Sequence, residues 1–252
     1  PALFDRFEED FDLYRLKPYN AGADYQSYTS NDPMTYADKI ISWLSSAKLI
    51  IKLPQDSDER DMRDSNSGKE RFVIGVLAAA DERLGRRLQA SVRNQLAFYI
   101  TVRGWYCGRA LLMKRPDGHS FVDITPWDPL HAAWDTDDDG IAWACYKIRK
   151  TARELKSQYG VEDLVESKEA QSGDGVKGFE VYDYYDRETN RVFMADRELK
   201  APMRHGSPNV PVFAGTVGST PYIQSDMQAD TIKYHGESVY KADRALYERQ
   251  NL

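Results

Sequence analysis

The sequence predicts an α+β chain in which helices pack on a mixed or antiparallel sheet built from hairpins, followed by a long C-terminal helix. Three observations carry that prediction. Up to Arg103, apolar residues recur at three- and four-residue spacing, the period of helices lying on a core. From Trp105 the period changes to two, with Pro116-Asp117-Gly118 and Asp138-Asp139-Gly140 as turn signals between the runs. From about Asp226 the helical period returns, and no Gly, Pro or Ser follows Leu246 to stop it.

Each element has a local reason. Leu3, Phe4, Phe7, Phe11 and Tyr14 form one stripe, opposite a face of Asp and Glu, and predict a helix over 3–15. Asp32 as N-cap and Pro33 at the first helical position open a second helix with the stripe Ala37, Ile40, Ile41 and Leu44. Leu49 to Leu53 reads as a short strand stopped by Pro54, and 54–68, rich in Asp, Ser and Asn, as a solvated loop. Lys69 to Arg103 is the longest periodic segment, ended by Gly104, with Gly85 a site for a break. Trp105–Lys114, His119–Thr125, His131–Asp135 and Ile141–Arg149 read as four strands. Thr151-Ala-Arg-Glu154 is a capping box for a short helix stopped by Gly160. Phe179–Tyr185 and Arg191–Ala195 make a further hairpin, and 201–224, with four prolines and three glycines, holds short apolar pieces such as Val210 to Phe213.

Composition excludes several classes. The 252 residues carry 34 Lys+Arg against 40 Asp+Glu, a net charge of −6, with 41% hydrophobic residues. That balance rules out a collagen, a mucin-like stalk or a mainly disordered chain, and argues against a general nucleic-acid coat. No apolar run approaches membrane-spanning length, and the acidic first fifteen residues are unlike a signal peptide. The sequence therefore reads as a soluble chain. Cys107 and Cys145 are too few for a disulfide framework and lie in no CxxC, so both read as small core residues. The chain begins with Pro1 and closes inside a helical pattern, so it reads as a core excised from something longer.

The chemistry is mostly negative. There is no phosphate-binding glycine loop, no nucleophile elbow and no HExxH. Asp135-Thr-Asp137-Asp-Asp139-Gly140 matches the opening of a calcium loop, but Tyr146 stands where the bidentate Glu belongs, and the segment reads as a hairpin turn. A metal-dependent phosphoesterase placing Asp123, Asp128, Asp135 and Asp137 around a divalent ion is the alternative function. Trp105, Trp127, Trp134 and Trp143 read as sheet-packing aromatics. Lys69 to Arg103 is the one basic region, and Arg83, Arg86, Arg87 and Arg93 are expected to contact carboxylates of this subunit or a neighbour, not nucleic acid. Ile232, Val239, Ala242 and Leu246, with Tyr240 and Tyr247 alongside, leave apolar surface too wide for a helix with one buried side. They are expected to pack against other subunits.

The order of several segments resembles the portal proteins of tailed bacteriophages. These are Tyr28-Thr-Ser-Asn31-Asp-Pro33 before the helix with Ala37-Asp38-Lys39-Ile40-Ile41; Glu70-Arg71-Phe72 opening a long helix; Arg103-Gly104-Trp105 leading into strands; and Ile124-Thr-Pro126-Trp-Asp128-Pro129. Trp134 and the acidic turn into Gly140-Ile-Ala-Trp143, the helix ending in Tyr159-Gly160, Gly236-Glu237-Ser238-Val239-Tyr240 and Asp243-Arg244 follow. The resemblance implies a ring subunit, typically one of twelve, at a capsid vertex, around the channel for double-stranded DNA. Residues 1–225 would be the α/β wing and 226–252 the start of the channel-lining stem helix. The partners implied are the terminase large subunit, a head-tail adaptor, and the major capsid and scaffolding proteins. The implied location is the virion, and the host cytoplasm during assembly, with no membrane. Portal proteins are conduits, so no catalytic residue, metal or cofactor carries over.

Overall fold

The computed structural model describes residues 3–18, 28–52, 60–114, 117–164, 170–171, 177–195, 197–217, 236–242 and 244. Four helices come first: α1 (Leu3–Tyr14), α2 (Asp32–Ser46), α3 (Arg60–Arg86) and α4 (Val92–Arg103). Then follow β1 (Trp105–Lys114), β2 (Ser120–Trp127), a 3-10 turn at Pro129–His131, β3 (Ala132–Asp137), β4 (Gly140–Lys150) and α5 (Ala152–Tyr159). The remaining strands are β5 (Ala170–Gln171), β6 (Lys177–Tyr185), β7 (Thr189–Phe193), β8 (Glu198–Arg204) and β9 (Val212–Thr216). Among the described residues the fold is therefore α+β, with five helices and two antiparallel sheets.

One sheet has the order β2-β1-β9, and the other β3-β4-β6-β7-β8 with β5 paired to the start of β6. Alternation of side chains puts Cys107, Trp127 and Val212 of the first sheet and Ala132, Ala144 and Tyr185 of the second into one buried cluster between them. A second cluster seats Leu155 of α5 on Val181 and Val192 of the larger sheet. A third packs Ala80 and Leu84 of α3 with Val92 of α4. The capping box of α5 is formed as its sequence dictates: the Thr151 hydroxyl accepts the Glu154 N–H at 3.2 Å, and the Glu154 carboxylate accepts the Thr151 N–H at 2.8 Å.

Several boundaries differ from expectation. The N-cap of α2 is Asn31, one residue earlier than Asp32. Residues 48–52 are not a strand: they have no ladder partner, and Leu49 and Ile50 are exposed. Helix α3 begins at Arg60, inside the stretch read as a loop. It ends just after Gly85, where Leu88 takes the left-handed conformation (φ 57°) and Gln89 and Leu88 donate back to the Leu84 and Gly85 carbonyls. This is a Schellman stop with leucine in the place glycine usually holds. Ser91 then caps α4, its hydroxyl accepting the Asn94 N–H at 3.2 Å.

The C-terminal helix expected over 226–252 is not continuous. Residues 236–238 carry no regular secondary structure and 239–242 form a turn, with helical backbone at Arg244. The Glu237 N–H donates to the Val217 carbonyl at 2.9 Å, and the Val239 N–H to Thr101 at 3.0 Å. Donors a helix would satisfy internally are thus spent on the body of the protein.

Candidate functional site

Segments far apart in sequence converge where α4 turns into β1. Gly104 ends α4 in the left-handed conformation (φ 68°), which glycine adopts without a side-chain clash. The buried Arg103 before it places Nε and Nη2 each 3.2 Å from the Asp128 carboxylate, while Nη1 donates to the Phe7 carbonyl. Its guanidinium also lies over the rings of Phe7 and Phe11, at 5.8 and 5.1 Å. Asp128 accepts the Leu130 N–H at 2.9 Å, and its own N–H donates to the Tyr146 hydroxyl at 3.3 Å. Burial pushes the Tyr146 phenol up to about 12. From the C-terminal side, the Tyr240 hydroxyl donates to the Pro33 carbonyl at 3.0 Å, and Arg244 grips the 2%-exposed Asp10 through two bonds of 2.8 Å. Arg6 pairs with Glu237 at 2.9 Å. The segments at 31–33, 103–105, 126–129 and 236–244 therefore form one junction of buried charge pairs and backbone acceptors.

A second charged cluster bridges the sheets. Arg109 of β1 donates to Asp123 of β2 at 2.5 Å and, across to β6, to the Tyr185 hydroxyl at 2.7 Å and Asp183 at 3.3 Å. The Asn190 amide donates to Asp183 at 2.7 Å, and Lys200 donates to the Asn190 carbonyl oxygen at 2.6 Å. Burial raises the pKa of Asp183, opposed chiefly by the charge of Arg109. Arg83 reaches the same cluster, with Nε 3.7 Å from Asp123, Nη2 donating to the Val122 carbonyl and its charge 4.8 Å from the Phe121 ring centre.

The acids weighed as metal ligands are engaged elsewhere. Asp123 faces Arg109 and Arg83, Asp128 faces Arg103, and Asp137 faces Arg187 and accepts the Asp139 N–H at 3.0 Å. Asp135 accepts the N–H of its neighbour Thr136. Among the described residues no three His, Cys, Asp or Glu groups gather in a way that could hold a metal ion. Asp135 to Asp137 close β3 and Gly140 opens β4, so the tight turn of this hairpin is Asp138-Asp139 alone.

The basic residues divide. Arg83 meets Asp123, and Arg86 pairs with Glu82 one turn earlier at 2.5 Å on an exposed face. Arg87 is exposed and has no carboxylate partner among the described residues. Arg93 departs from expectation: its partners are the Ser45 and Ala47 carbonyls at 3.1 and 2.6 Å, because the C-terminus of α2 offers acceptors with no helical donor left for them.

The subunit-contact set also divides. Ile232, Leu246 and Tyr247 lie outside the described residues. Tyr240 is completely buried within its own subunit, where its hydroxyl donates to the Pro33 carbonyl. Val239 is half-buried and Ala242 exposed.

The open apolar surface is elsewhere. On α2, Trp43 is 69% exposed, and Tyr36 and Leu44 are exposed too. On α3, Phe72 is 67% exposed beside exposed Val73 and Ile74. The stripe Val73, Val76, Leu77, Ala80 and Leu84 is buried only at its C-terminal end, so periodicity alone could not reveal the unpartnered half. A groove of about 900 Å³ opens between α1, β3 and β9, lined by Phe4, Phe7, Trp105, Ala133, Trp134 and Trp143 among others. The tryptophans were the signal for it. Trp105 and Trp134 pack at 5.6 Å, as sheet aromatics should, but their outer faces make its wall. No helix of the described residues is long and apolar enough to cross a membrane. The chain matches no family model and no curated protein.

Proposed function

We propose that this chain is a structural subunit of a homo-oligomeric ring of the phage portal type, a conduit for double-stranded DNA and not an enzyme. The observation that carries the reading is the number of large apolar side chains that α2 and α3 leave in solvent. Trp43 and Tyr36 stand exposed seven residues apart on α2, and the middle of the 27-residue α3 exposes Phe72, Val73 and Ile74, which is the surface of a protein that has partners. Two further features support it. Four of the segments on which the portal resemblance rests meet in a junction of mutually satisfied groups, which suits a structural wing better than a catalytic pocket. Three of the four candidate metal ligands, Asp123, Asp128 and Asp137, are paired with arginines, which weighs against the phosphoesterase alternative. In this reading the ring sits at a capsid vertex of the virion. It meets the terminase large subunit, a head-tail adaptor, and the capsid and scaffolding proteins.

The test is electron-microscope imaging of the purified chain with its mass measured by light scattering. Rings with a central hole are expected. A single-chain mass at micromolar concentration overturns the reading, as does hydrolysis of a phosphodiester by the chain with magnesium or manganese that Asp123→Asn abolishes.

A further inference from the structure

The groove between α1, β3 and β9 runs along an open strand edge. β3 ends the order of the larger sheet, so one of its sides has no neighbouring strand among the described residues. Cross-strand partners share a face of a sheet, and Trp134 opposes the buried Ala144 while Asp135 opposes Trp143. Trp134 therefore lies on the inner face of this sheet and Trp143 on the outer one, yet both line the groove. So do five consecutive residues of β3, Ala132 to Thr136. A hollow confined to one face would meet only alternate residues, so this one passes round the edge.

The backbone at that edge is unspent. The Ala132 N–H donates to the Pro129 carbonyl and the Thr136 N–H to the Asp135 carboxylate at 2.9 Å, both away from β4. Residues of a paired strand turn their N–H and C=O groups alternately to one side and the other, so Trp134, midway between these two, presents its own pair to the groove. Outside the ladder neither group has a partner among the described residues. A free donor and acceptor on one edge residue are what an extended polypeptide satisfies by adding a strand, and what a purely apolar ligand would leave stranded.

The walls and the charges narrow the occupant further. Phe4, Trp134 and Trp143 offer a seat for an aliphatic or aromatic side chain. Of the two charged lining residues, Arg6 is already paired with Glu237 at 2.9 Å, whereas the exposed Asp135 has no cation partner among the described residues. Toward the turn, Asp137 and Asp139 share Arg187, and Asp138 adds another exposed carboxylate. The open end of the edge is therefore acidic and calls for a cation on the incoming strand.

We propose that β3 is a docking edge for an extended segment of a partner protein, which pairs with the Trp134 backbone, seats an apolar side chain among Phe4, Trp134 and Trp143, and sets a Lys or Arg against Asp135. The site does not depend on the ring reading and would serve a single chain equally.

A displayed library of random heptapeptides, panned on the immobilised chain, tests it, with the best binder made as a blocked synthetic peptide for calorimetry. Recovered peptides are expected to alternate apolar and polar positions and to carry Lys or Arg. N-methylation of each peptide amide in turn should weaken binding about tenfold or more at every second position and less than about threefold between, because only alternate amides face β3. Asp135→Lys should weaken the same peptide about threefold or more, and a peptide with Glu in place of its cation should recover the loss. The proposal is overturned by no enrichment over a bare surface, by an acidic consensus, by N-methylation effects without the two-residue period, or by affinity unchanged in Asp135→Lys. A consensus that matches this chain's own sequence also overturns it, since the occupant would then be a second copy.

Discussion

Two glycines make a matched pair for measuring how firmly the 236–240 segment is seated. Gly104 and Gly160 both end helices with nearly equal backbone angles, φ 68° and 70°. Alanine at either must adopt a left-handed conformation, at about 1 kcal/mol. At Gly160 nothing lies within 4 Å of the added methyl, so the loss should stop there. At Gly104 the methyl would come within 2.5 Å of the Glu237 amide nitrogen and carbonyl oxygen, so the segment must move away. The bonds at risk are Glu237 N–H to Val217 and Val239 N–H to Thr101. At about 1 kcal/mol each they bring the loss to roughly 3 kcal/mol before any exposure of Tyr240. For a chain of this size each kcal/mol lowers the melting temperature by about 2–4 °C. Gly160→Ala should therefore melt roughly 2–4 °C below the parent, and Gly104→Ala roughly 6–12 °C below, followed by far-UV circular dichroism. Equal losses at the two positions would refute the reasoning, because the seat of Glu237 against Gly104 would then contribute nothing.

Leu88→Gly should stabilise the chain by about 0.5–1 kcal/mol in urea titrations, since a 97%-exposed leucine gives up no packing while glycine relieves the left-handed backbone. Arg109→Leu should destabilise by about 3–5 kcal/mol at neutral pH, because it strands Asp123 and Asp183 without their cation. The pKa of Asp183 is already raised above its ordinary 3.8, so the folded state holds its proton more tightly than the unfolded chain does. That contribution is fully present below pH 3.8 and is lost as pH rises through the folded value, so acidification should narrow the variant's deficit. Chemical unfolding curves at pH 4.5 and 7 check both the size and the sign. Burial raises the thiol pKa of Cys107 and moves that of Cys145 up to about 11. Neither should react quickly with a disulfide reagent at pH 8 in the native protein, and both should react promptly in urea.

Local signals carried most of the fold. The capping box at Thr151, the glycine stop at Gly104 and the period-two runs from Trp105 each place an element to within one or two residues, because each depends on neighbours in sequence. The failures share one cause. Glu198–Arg204 contains Pro202 and charged residues and has little apolar alternation, yet it pairs with β7 as the outer strand of the sheet. Leu49 to Lys52 has strand composition and no ladder partner among the described residues. At the C-terminal end the spacing of Val239 and Ala242 read as helix, while Gly236 and Ser238 were the contrary signals. Gly236 is needed for close approach to the Trp105 indole, and the Ser238 hydroxyl accepts the Tyr240 N–H at 3.1 Å. The sites were least legible of all. That Arg103 would meet Asp128, or Arg109 both Asp123 and Asp183, depends on strand register that no short window contains.

The tie between Asp10 and Arg244 has a consequence for how the chain is made. The two residues are 234 positions apart, and Arg6 with Glu237 repeats the arrangement at 231. At about 5–20 residues per second, roughly 10–50 s of translation separate the synthesis of α1 from that of its last ionic partner. Until then Asp10, destined to be almost wholly enclosed, remains a hydrated carboxylate on an unfinished helix. Helix α1 thus waits for residues far downstream before its charges are paired, and arrest of synthesis between β9 and Arg244 would leave it packed on α4 without its ion pairs to Glu237 and Arg244.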